Sequence, residues 1–198
     1  IVQKNIFTNS YGHLPKKYFN FIFKDIEKQT ILDFGCATGD KLVYFINNGS
    51  KNIYGVDINL KALNSAKYKV KKFYVNQRFY RNISLNDINQ FLKSVQKQKF
   101  DLIILDRVMY ILNDNEFKKI ISIFTKITKY IYIDDFFLME DNYKKKDRLM
   151  IKGYIHSDFN KILKNEGFEL KFIDKSPYKD VLFSNSRSAV YKHKNVYY

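Results

Sequence analysis

The sequence has few residues that cross-link a chain or interrupt its regular structure. Among its 198 residues there are one cysteine (Cys36), two prolines and no tryptophan. A single cysteine excludes an internal disulfide and a cysteine cluster for zinc, and no metal site is predicted. Because disulfide-free chains are typical of reducing compartments, we expect a cytoplasmic protein.

Long apolar runs are also missing. No run approaches the roughly 20 residues that a membrane-spanning helix needs, and the first residues lack the apolar core of a signal peptide. We therefore expect no contact with a membrane. Because the chain is 45% hydrophobic and 17% aromatic, with no Pro-rich linker, we expect one domain over residues 1–198. Its core would be preceded by a cap segment at 1–29 and carry a short insert at about 136–157.

Arginine is scarce in a chain that is otherwise strongly basic. The net charge is +15, yet only five of the 35 basic residues are arginine. Arginine is the usual residue for bidentate contacts to phosphates and bases, whereas a surplus of lysine can reflect an AT-rich genome and a solvated surface. Nucleic acid is therefore the less favoured partner.

Apolar runs of strand length alternate with amphipathic segments of helix length. This alternation predicts βαβ units on a parallel sheet, and hence an α/β fold. No helix separates the last two strands, so these two should form an antiparallel hairpin. The predicted strands are 30–34, 52–57, 78–84, 100–106, 130–135, 168–174 and 188–194. The predicted helices are about 15–27, 39–48, 59–72, 87–97, 114–127 and 157–166.

Aspartates occur at the ends of four predicted parallel strands. They are Asp33, Asp57, Asp106 and the pair Asp134 and Asp135. Any one of them could be a turn residue or a helix cap, which is the commoner use of aspartate after a strand. Their recurrence at the carboxyl edge, where open α/β sheets bind ligands, favours a binding site.

The segment DFGCATGDK joins the first strand to the next helix. Gly35, Ala37 and Gly39 keep side chains small there, so a ligand can approach the backbone N–H groups at the helix start. A dinucleotide-binding turn would need a small residue at position 40, which is aspartate. Carboxylates at Asp33 and Asp40 favour a ligand that carries positive charge and no phosphate, such as S-adenosylmethionine.

The pattern D-x-G-x-A-x-G at 33–39 resembles the first motif of class I S-adenosylmethionine-dependent methyltransferases, with Ala37 in place of the middle glycine. IYGVDIN at 53–59 and FDLIILD at 100–106 resemble the second and fourth strands of that family, in the expected order. The resemblance implies a Rossmann-like three-layer sandwich with a seven-stranded, mostly parallel sheet. It also implies an enzyme that uses S-adenosylmethionine as its cofactor.

Roles for individual residues follow from the resemblance. Asp57 falls where the family places the acid that accepts both ribose hydroxyls. SLNDI at 84–88 resembles the segment that contacts adenine, which makes Asp87 the expected adenine partner with Ile88 beside it. The cofactor-binding residues implied in this way are Asp33, Gly35, Ala37, Gly39, Asp57, Ile58, Asp87, Ile88 and Asp106.

Methyl transfer is an in-line displacement, so the protein mainly aims the acceptor and excludes water. A hydroxyl acceptor also needs a base, and histidine has a suitable pKa. His156 begins the helix after a lysine-rich loop, and Asp106 closes the fourth strand. The predicted catalytic residues are His156, as the base, and Asp106, as the group that orients the acceptor or the base.

The acceptor is predicted only by class. Because the cap segments are short and no inserted domain is evident, we expect a small molecule or a sugar, methylated on oxygen or nitrogen. Two alternatives stay open: an RNA or protein methyltransferase that uses the basic surface, and a non-catalytic module that binds S-adenosylmethionine.

Overall fold

The computed structural model describes residues 14–81, 99–109, 112, 114–136, 159–175 and 186–195. The strands are β1 (Thr30–Phe34), β2 (Asn52–Asp57), β3 (Asn76–Arg81), β4 (Phe100–Asp106), β5 (Thr128–Phe136), β6 (Phe168–Lys175) and β7 (Ser186–His193). The helices are α1 (Lys16–Ile22), α2 (Asp40–Asn47), α3 (Leu60–Lys71), α4 (Asp114–Phe124) and α5 (Phe159–Asn165). Within these described ranges, no helix is long and apolar enough to span a bilayer.

The strands form one sheet in the order β3-β2-β1-β4-β5-β7-β6. The pairs from β3 to β5 are parallel, and β7 is antiparallel to both β5 and β6. This architecture confirms the predicted α/β fold with its C-terminal hairpin. The strand order reverses between β1 and β4, and such a switch point opens a crevice at the carboxyl edge of the sheet.

The central strands are apolar on both faces because helices cover both. Five of the seven residues of β4 are buried, as expected for a parallel strand between two helical layers. On one face the sheet packs against α1, α2 and α3, through residues such as Tyr18, Phe45 and Leu63. On the other face it packs against α4 and α5, through Phe117 and Phe159 among others.

Several element boundaries differ from the predictions by two residues or more, and two of these differences have a local cause. α1 ends at Ile22, short of the predicted 27, because Phe23 adopts an extended backbone and packs its ring 5.6 Å from that of Phe45. β3 begins at residue 76, two residues before the predicted start, because Asn76 hydrogen-bonds the side chain of Asn52 at 3.0 Å. The predicted helix at 87–97 lies outside the described residues.

Tyr18 fastens α1 to the C-terminal hairpin. Its side chain is fully buried, its hydroxyl donates to the carboxylate of Asp174, and the same oxygen lies 3.1 Å from the carbonyl oxygen of Ser188. Burial, followed by the bond to Asp174, raises the pKa of Tyr18 well above its ordinary value. The hydroxyl therefore stays a proton donor, and it links segments more than 150 residues apart in the sequence.

We predict that Tyr18→Phe lowers the free energy of unfolding by about 1 to 3 kcal/mol, because it removes a buried hydrogen bond to a charged group. Asp174 keeps its ion pair with Lys17 at 2.7 Å, so the substitution does not leave the carboxylate without a partner. Urea unfolding measures the change. The matched control is Tyr68→Phe, at a side chain that is 82% exposed, which should change the stability by less than about 0.5 kcal/mol. Equal stability of Tyr18→Phe and wild type would contradict this role.

Candidate cofactor site

The turn between β1 and α2, residues 35–39, lies at the switch point of the sheet. The N–H groups of Gly35 and Cys36 both donate to the carbonyl oxygen of Val56, at 2.8 and 2.9 Å. The N–H of Gly39 donates to the carbonyl oxygen of Cys36 at 2.8 Å. The turn is thus held against the end of β2, with its backbone at the crevice between β1 and β4.

Both glycines of this turn are required by the fold itself. Gly35 and Gly39 have φ values of 87° and 79°, in the left-handed region that favours glycine. A Cβ on Gly35 would lie 2.9 Å from Val108, and one on Gly39 would lie 2.8 Å from Ala66. The small residues that the sequence analysis assigned to ligand approach therefore also allow close packing beneath the turn.

Asp57 ties the turn to the start of α3. Its Oδ2 accepts a hydrogen bond from the N–H of Ala37 at 2.7 Å, and its Oδ1 accepts one from the N–H of Asn59 at 2.7 Å. Asn59 in turn caps α3, since its side-chain oxygen accepts from the N–H groups of Lys61 and Ala62. One carboxylate thus fixes two neighbouring edges of the crevice, and Ala37 is held in a left-handed conformation with φ 43°.

Two further predicted carboxylates lie together with a buried lysine. Asp33 is 2% exposed, and Asp106 Oδ2 lies 2.7 Å from Lys41 Nζ in a pair whose side chains are 11% and 6% exposed. Burial raises the pKa of Asp33 from its ordinary 3.8 to about 7. Lys41 opposes this rise, whereas the charges of Asp106 and Asp57 add to it. Asp33 therefore titrates near neutral pH.

Asp106 also begins a row of polar residues that crosses four strands. It pairs in register with Asp134 of β5, which pairs with Ser188 of β7, which pairs with Asp174 of β6. Partners in register project to the same face of a sheet, here the face covered by α1 and α2. Asp134 is fully buried; it accepts from the Tyr132 hydroxyl at 3.1 Å, and its Oδ1 lies 3.5 Å from Arg107 Nε. We call Asp106, Asp134 and Asp174 the carboxylate row.

Asp135 projects to the opposite face of the sheet from Asp134, as neighbours in a strand do. Its Oδ2 accepts from the N–H of Met109 at 2.8 Å, and the side chain is fully buried. Arg107 has φ 55° and donates its N–H to the carbonyl oxygen of Asp134 at 2.8 Å. The two aspartates together fix the backbone that follows β4.

The structure brings most of the predicted cofactor residues to one edge of the sheet. Ile58 lies beside Asp57 and is 58% exposed. Asp87, Ile88 and His156 lie outside the described residues. Those gathered at the edge are Asp33, Gly35, Ala37, Gly39, Asp57, Ile58 and Asp106.

Asp40 adds less negative charge to this turn than the sequence suggested. Its carboxylate is exposed, accepts from the Thr38 hydroxyl at 2.8 Å and pairs with Lys69 Nζ at 2.7 Å. Because Lys69 offsets this charge, the negative charge expected at the turn depends more on Asp33 and Asp57.

Lys41 is the charged residue of this edge that the sequence analysis missed. A signal was available, since Lys41 lies four residues before Phe45 on α2, and residues at this spacing share a helix face. Phe45 is fully buried, so a lysine on the same face would also have to be buried and paired.

A second, polar pocket opens at the opposite, amino edge of the sheet. Its volume is about 350 Å³, and Thr30, Asn52, Asn76 and Arg78 contribute to its lining. None of the predicted site residues lines it. Its residues can therefore serve as a control in experiments that locate a bound ligand.

The family model described as "Methyltransferase domain" matches residues 26–191. The chain therefore belongs to this family. The match confirms the predicted family, the class I methyltransferases, and with it the predicted enzyme. The predicted cofactor, S-adenosylmethionine, agrees with the ligands bound in the similar structures described next.

Two similar solved structures show the same fold. The magnesium protoporphyrin IX methyltransferase of Synechocystis PCC 6803 with bound S-adenosylhomocysteine has a TM-score of 0.63 and 20% identity over 84% of this chain and 74% of that one. The N-methyltransferase NodS of Bradyrhizobium japonicum WM9, in complex with S-adenosylhomocysteine, has a TM-score of 0.65 and 15% identity over 84% and 79%. An uncharacterized protein of Methanocaldococcus jannaschii is 29% identical over 92 residues, which cover 46% of this chain and 42% of that protein.

The raised pKa of Asp33 predicts a pH-dependent stability. Between its unfolded pKa near 3.8 and its folded pKa of about 7, the folded chain retains a proton that the unfolded chain has lost. This group therefore makes stability fall as pH rises through that window, by up to about 1.4 kcal/mol per pH unit. Asp33→Asn removes the titration while keeping the shape.

The measurement is urea unfolding of wild type and Asp33→Asn at about pH 5 and about pH 8. Groups that titrate in both proteins cancel in the difference between their free energies of unfolding. Asp33→Asn should be more stable relative to wild type at the higher pH than at the lower one. The charged groups around Asp33 are Lys41, Asp106 and Asp57. A difference that is the same at both pH values would refute the raised pKa.

Proposed function

We propose that the chain transfers a methyl group from S-adenosylmethionine to a small-molecule or sugar acceptor, on oxygen or nitrogen. The observation that carries the cofactor site is the bond from the N–H of Ala37 to Asp57, which joins the glycine turn to the acid at the end of β2. The acceptor class is supported by the short segment assigned to acceptor binding at about 136–157. One similar structure is that of a magnesium protoporphyrin IX methyltransferase, which agrees with a small acceptor.

Asp57 would hold the ribose. Its two oxygens each accept one backbone N–H, and because a carboxylate has about four acceptor positions, each oxygen can accept one ribose hydroxyl as well. The backbone of the turn at 35–39 would face the methionine part, and the charged groups Asp33 and Asp106 would lie toward its cationic end. Ile58, with Asp87 and Ile88, would contact the adenine.

In this reaction the protein mainly positions the cofactor and the acceptor, and it takes little part in the bond changes. The bond from sulfur to the methyl carbon breaks with its electron pair on sulfur, as a lone pair of the acceptor forms the new bond. An acceptor hydroxyl then loses its proton to a base. The fixed partners of Asp57, Asp106 and Asp134 mean that the edge needs little rearrangement when the ligands bind, which favours in-line geometry.

We predict that Asp57→Ala weakens binding of S-adenosylmethionine by on the order of 2 to 3 kcal/mol, or about 30- to 160-fold, while the chain still folds. Isothermal titration measures the change. The matched control is Asp101→Ala, because Asp101 also accepts a backbone hydrogen bond, from Thr30 at 2.9 Å, but at the amino end of β1. An unchanged dissociation constant in folded Asp57→Ala would remove Asp57 from the site.

We propose His156 as the base for a hydroxyl acceptor, with Asp106 in the orienting role. Asp106 is bound to Lys41 at 2.7 Å, and this supports a fixed orienting charge better than a group that collects a proton. His156→Asn should lower turnover by roughly 100-fold while cofactor affinity stays the same. Release of S-adenosylhomocysteine is the readout. Wild-type turnover in this variant would favour an amine acceptor that needs no base.

A nucleic-acid acceptor is the second candidate, and one surface favours it. Residues 58–81 contain no acidic residue but seven lysines and arginines. Tyr68 and Tyr74 in this stretch are 82% and 104% exposed, and exposed aromatic rings can stack on bases.

An acceptor screen decides between the two candidates. Small molecules, sugars and single-stranded RNA are offered with S-adenosylmethionine, and release of S-adenosylhomocysteine is followed. Turnover with a small acceptor supports the first proposal. Turnover with RNA, together with binding that weakens steeply as salt increases, supports the second.

A further inference from the structure

Lys41 is a lysine placed where lysines are rarely found. Its side chain is 6% exposed, and its Nζ lies 2.7 Å from Asp106 Oδ2 and 5.0 Å from the centre of the Tyr132 ring. Fully buried lysines are uncommon unless they are paired, and the aromatic ring adds a second favourable contact. The ammonium group is therefore fixed beneath the carboxyl ends of β4 and β5.

Lys41 acts on a second carboxylate as well. It stabilises the ionised form of Asp33, while Asp106 destabilises it. Asp33, Lys41 and Asp106 therefore form one electrostatic unit of two carboxylates and one ammonium, which we call the charge triad. With both acids ionised, its net charge is −1. All three residues lie on the face covered by α1 and α2, at the edge where the cofactor is proposed to bind.

The reaction changes the charge of the ligand at this edge. S-adenosylmethionine carries a sulfonium, whereas S-adenosylhomocysteine, left after the methyl group departs, is a neutral thioether at the same atom. A buried negative charge nearby favours the sulfonium cofactor over the neutral product. Electrostatic interactions are strong in a site of low dielectric constant, so one unit of charge changes the ratio of the two affinities measurably.

We propose that Lys41 is a specificity-determining residue, whose positive charge sets how strongly the site prefers the sulfonium cofactor over its neutral product. The inference rests on the proposed cofactor site. Without Lys41, the two carboxylates would bind the sulfonium more tightly relative to the product; without Asp106, the remaining pair would be neutral and the preference would fall.

A purely structural role for Lys41 makes a different prediction. The ion pair also fastens α2 to β4, so its loss could loosen the glycine turn. Loosening would weaken both ligands by a similar factor, because they share the adenosine and amino-acid parts. The ratio of the two dissociation constants therefore separates a role in charge from a role in folding.

The test is isothermal titration of four variants and the wild type with S-adenosylmethionine and S-adenosylhomocysteine, at about pH 8.5, where Asp33 is ionised in the wild type. The measured quantity is the preference, the dissociation constant of the product divided by that of the cofactor. The variants, with the net charge of the triad when its remaining acids are ionised, are Lys41→Met at −2, Lys41→Arg at −1, Asp106→Asn at 0 and the double variant Lys41→Met with Asp106→Asn at −1. Because loss of Lys41 raises the pKa of Asp33 further, the variants that lack Lys41 are also titrated at about pH 9.5.

We expect the preference to follow the charge. Lys41→Met should raise it on the order of tenfold and Asp106→Asn should lower it by a similar factor, since one charge at about 10 Å has an effect of this size. Lys41→Arg and the double variant should stay within about threefold of wild type. Should Lys41→Met fail to fold, Asp106→Asn and the double variant still decide, because removing both partners of a buried pair is tolerated better than removing one.

The outcomes separate this inference from the proposed function. A preference that stays constant across the variants, while both affinities change together, overturns the role of Lys41 and leaves the cofactor site intact. A wild type that binds neither ligand contradicts the cofactor site, and the inference with it.

Discussion

Burial of carboxylates at the carboxyl edge of the sheet is the constraint around which the rest of the structure is arranged. A buried charge is costly unless it is paired or hydrogen-bonded, so each acid needs a partner from another element. Asp106 has Lys41 from α2, and Asp135 has the N–H of Met109. Asp57 and Asp174 are only partly buried, and they are bound by the N–H of Ala37 and by Lys17 and Tyr18 of α1. These partners place the helices on the sheet at the same time as they hold the acids ready for a ligand.

This arrangement would allow a strongly basic chain to bind the cationic ligand proposed above. The net charge of +15 belongs to the whole chain and is dominated by 30 lysines, many of them on exposed helix faces. Exposed charges separated by more than about 10 Å are screened by salt, whereas the buried acids interact through protein. In the proposed site, the local environment of Asp33 and Asp106 would therefore influence the ligand preference more than the total charge does.

The strands, their alternation with helices and the position of the crevice could be predicted from the sequence, because central parallel strands are continuous apolar runs. β1, β2 and β4 begin and end where the sequence placed them. The acids were found because they follow those strands directly. The end of α1 could not be predicted, since it depends on Phe23 meeting Phe45, a contact between distant residues. The carboxylate row was missed because pairing across strands is set by register, which a single sequence does not show. Lys41 was missed although its spacing from the buried Phe45 on α2 indicated a buried position.

The central claim, that the cofactor binds at the glycine turn and Asp57, is tested most directly by a two-dimensional ¹H–¹⁵N NMR titration with S-adenosylhomocysteine, which binds without being consumed. The account predicts that the amide signals of Ala37 and Asn59, whose N–H groups donate to Asp57, shift with saturation, while those of Asn52 and Asn76 at the amino edge stay in place. Shifts confined to Asn52 and Asn76, or no shifts at all, would contradict it.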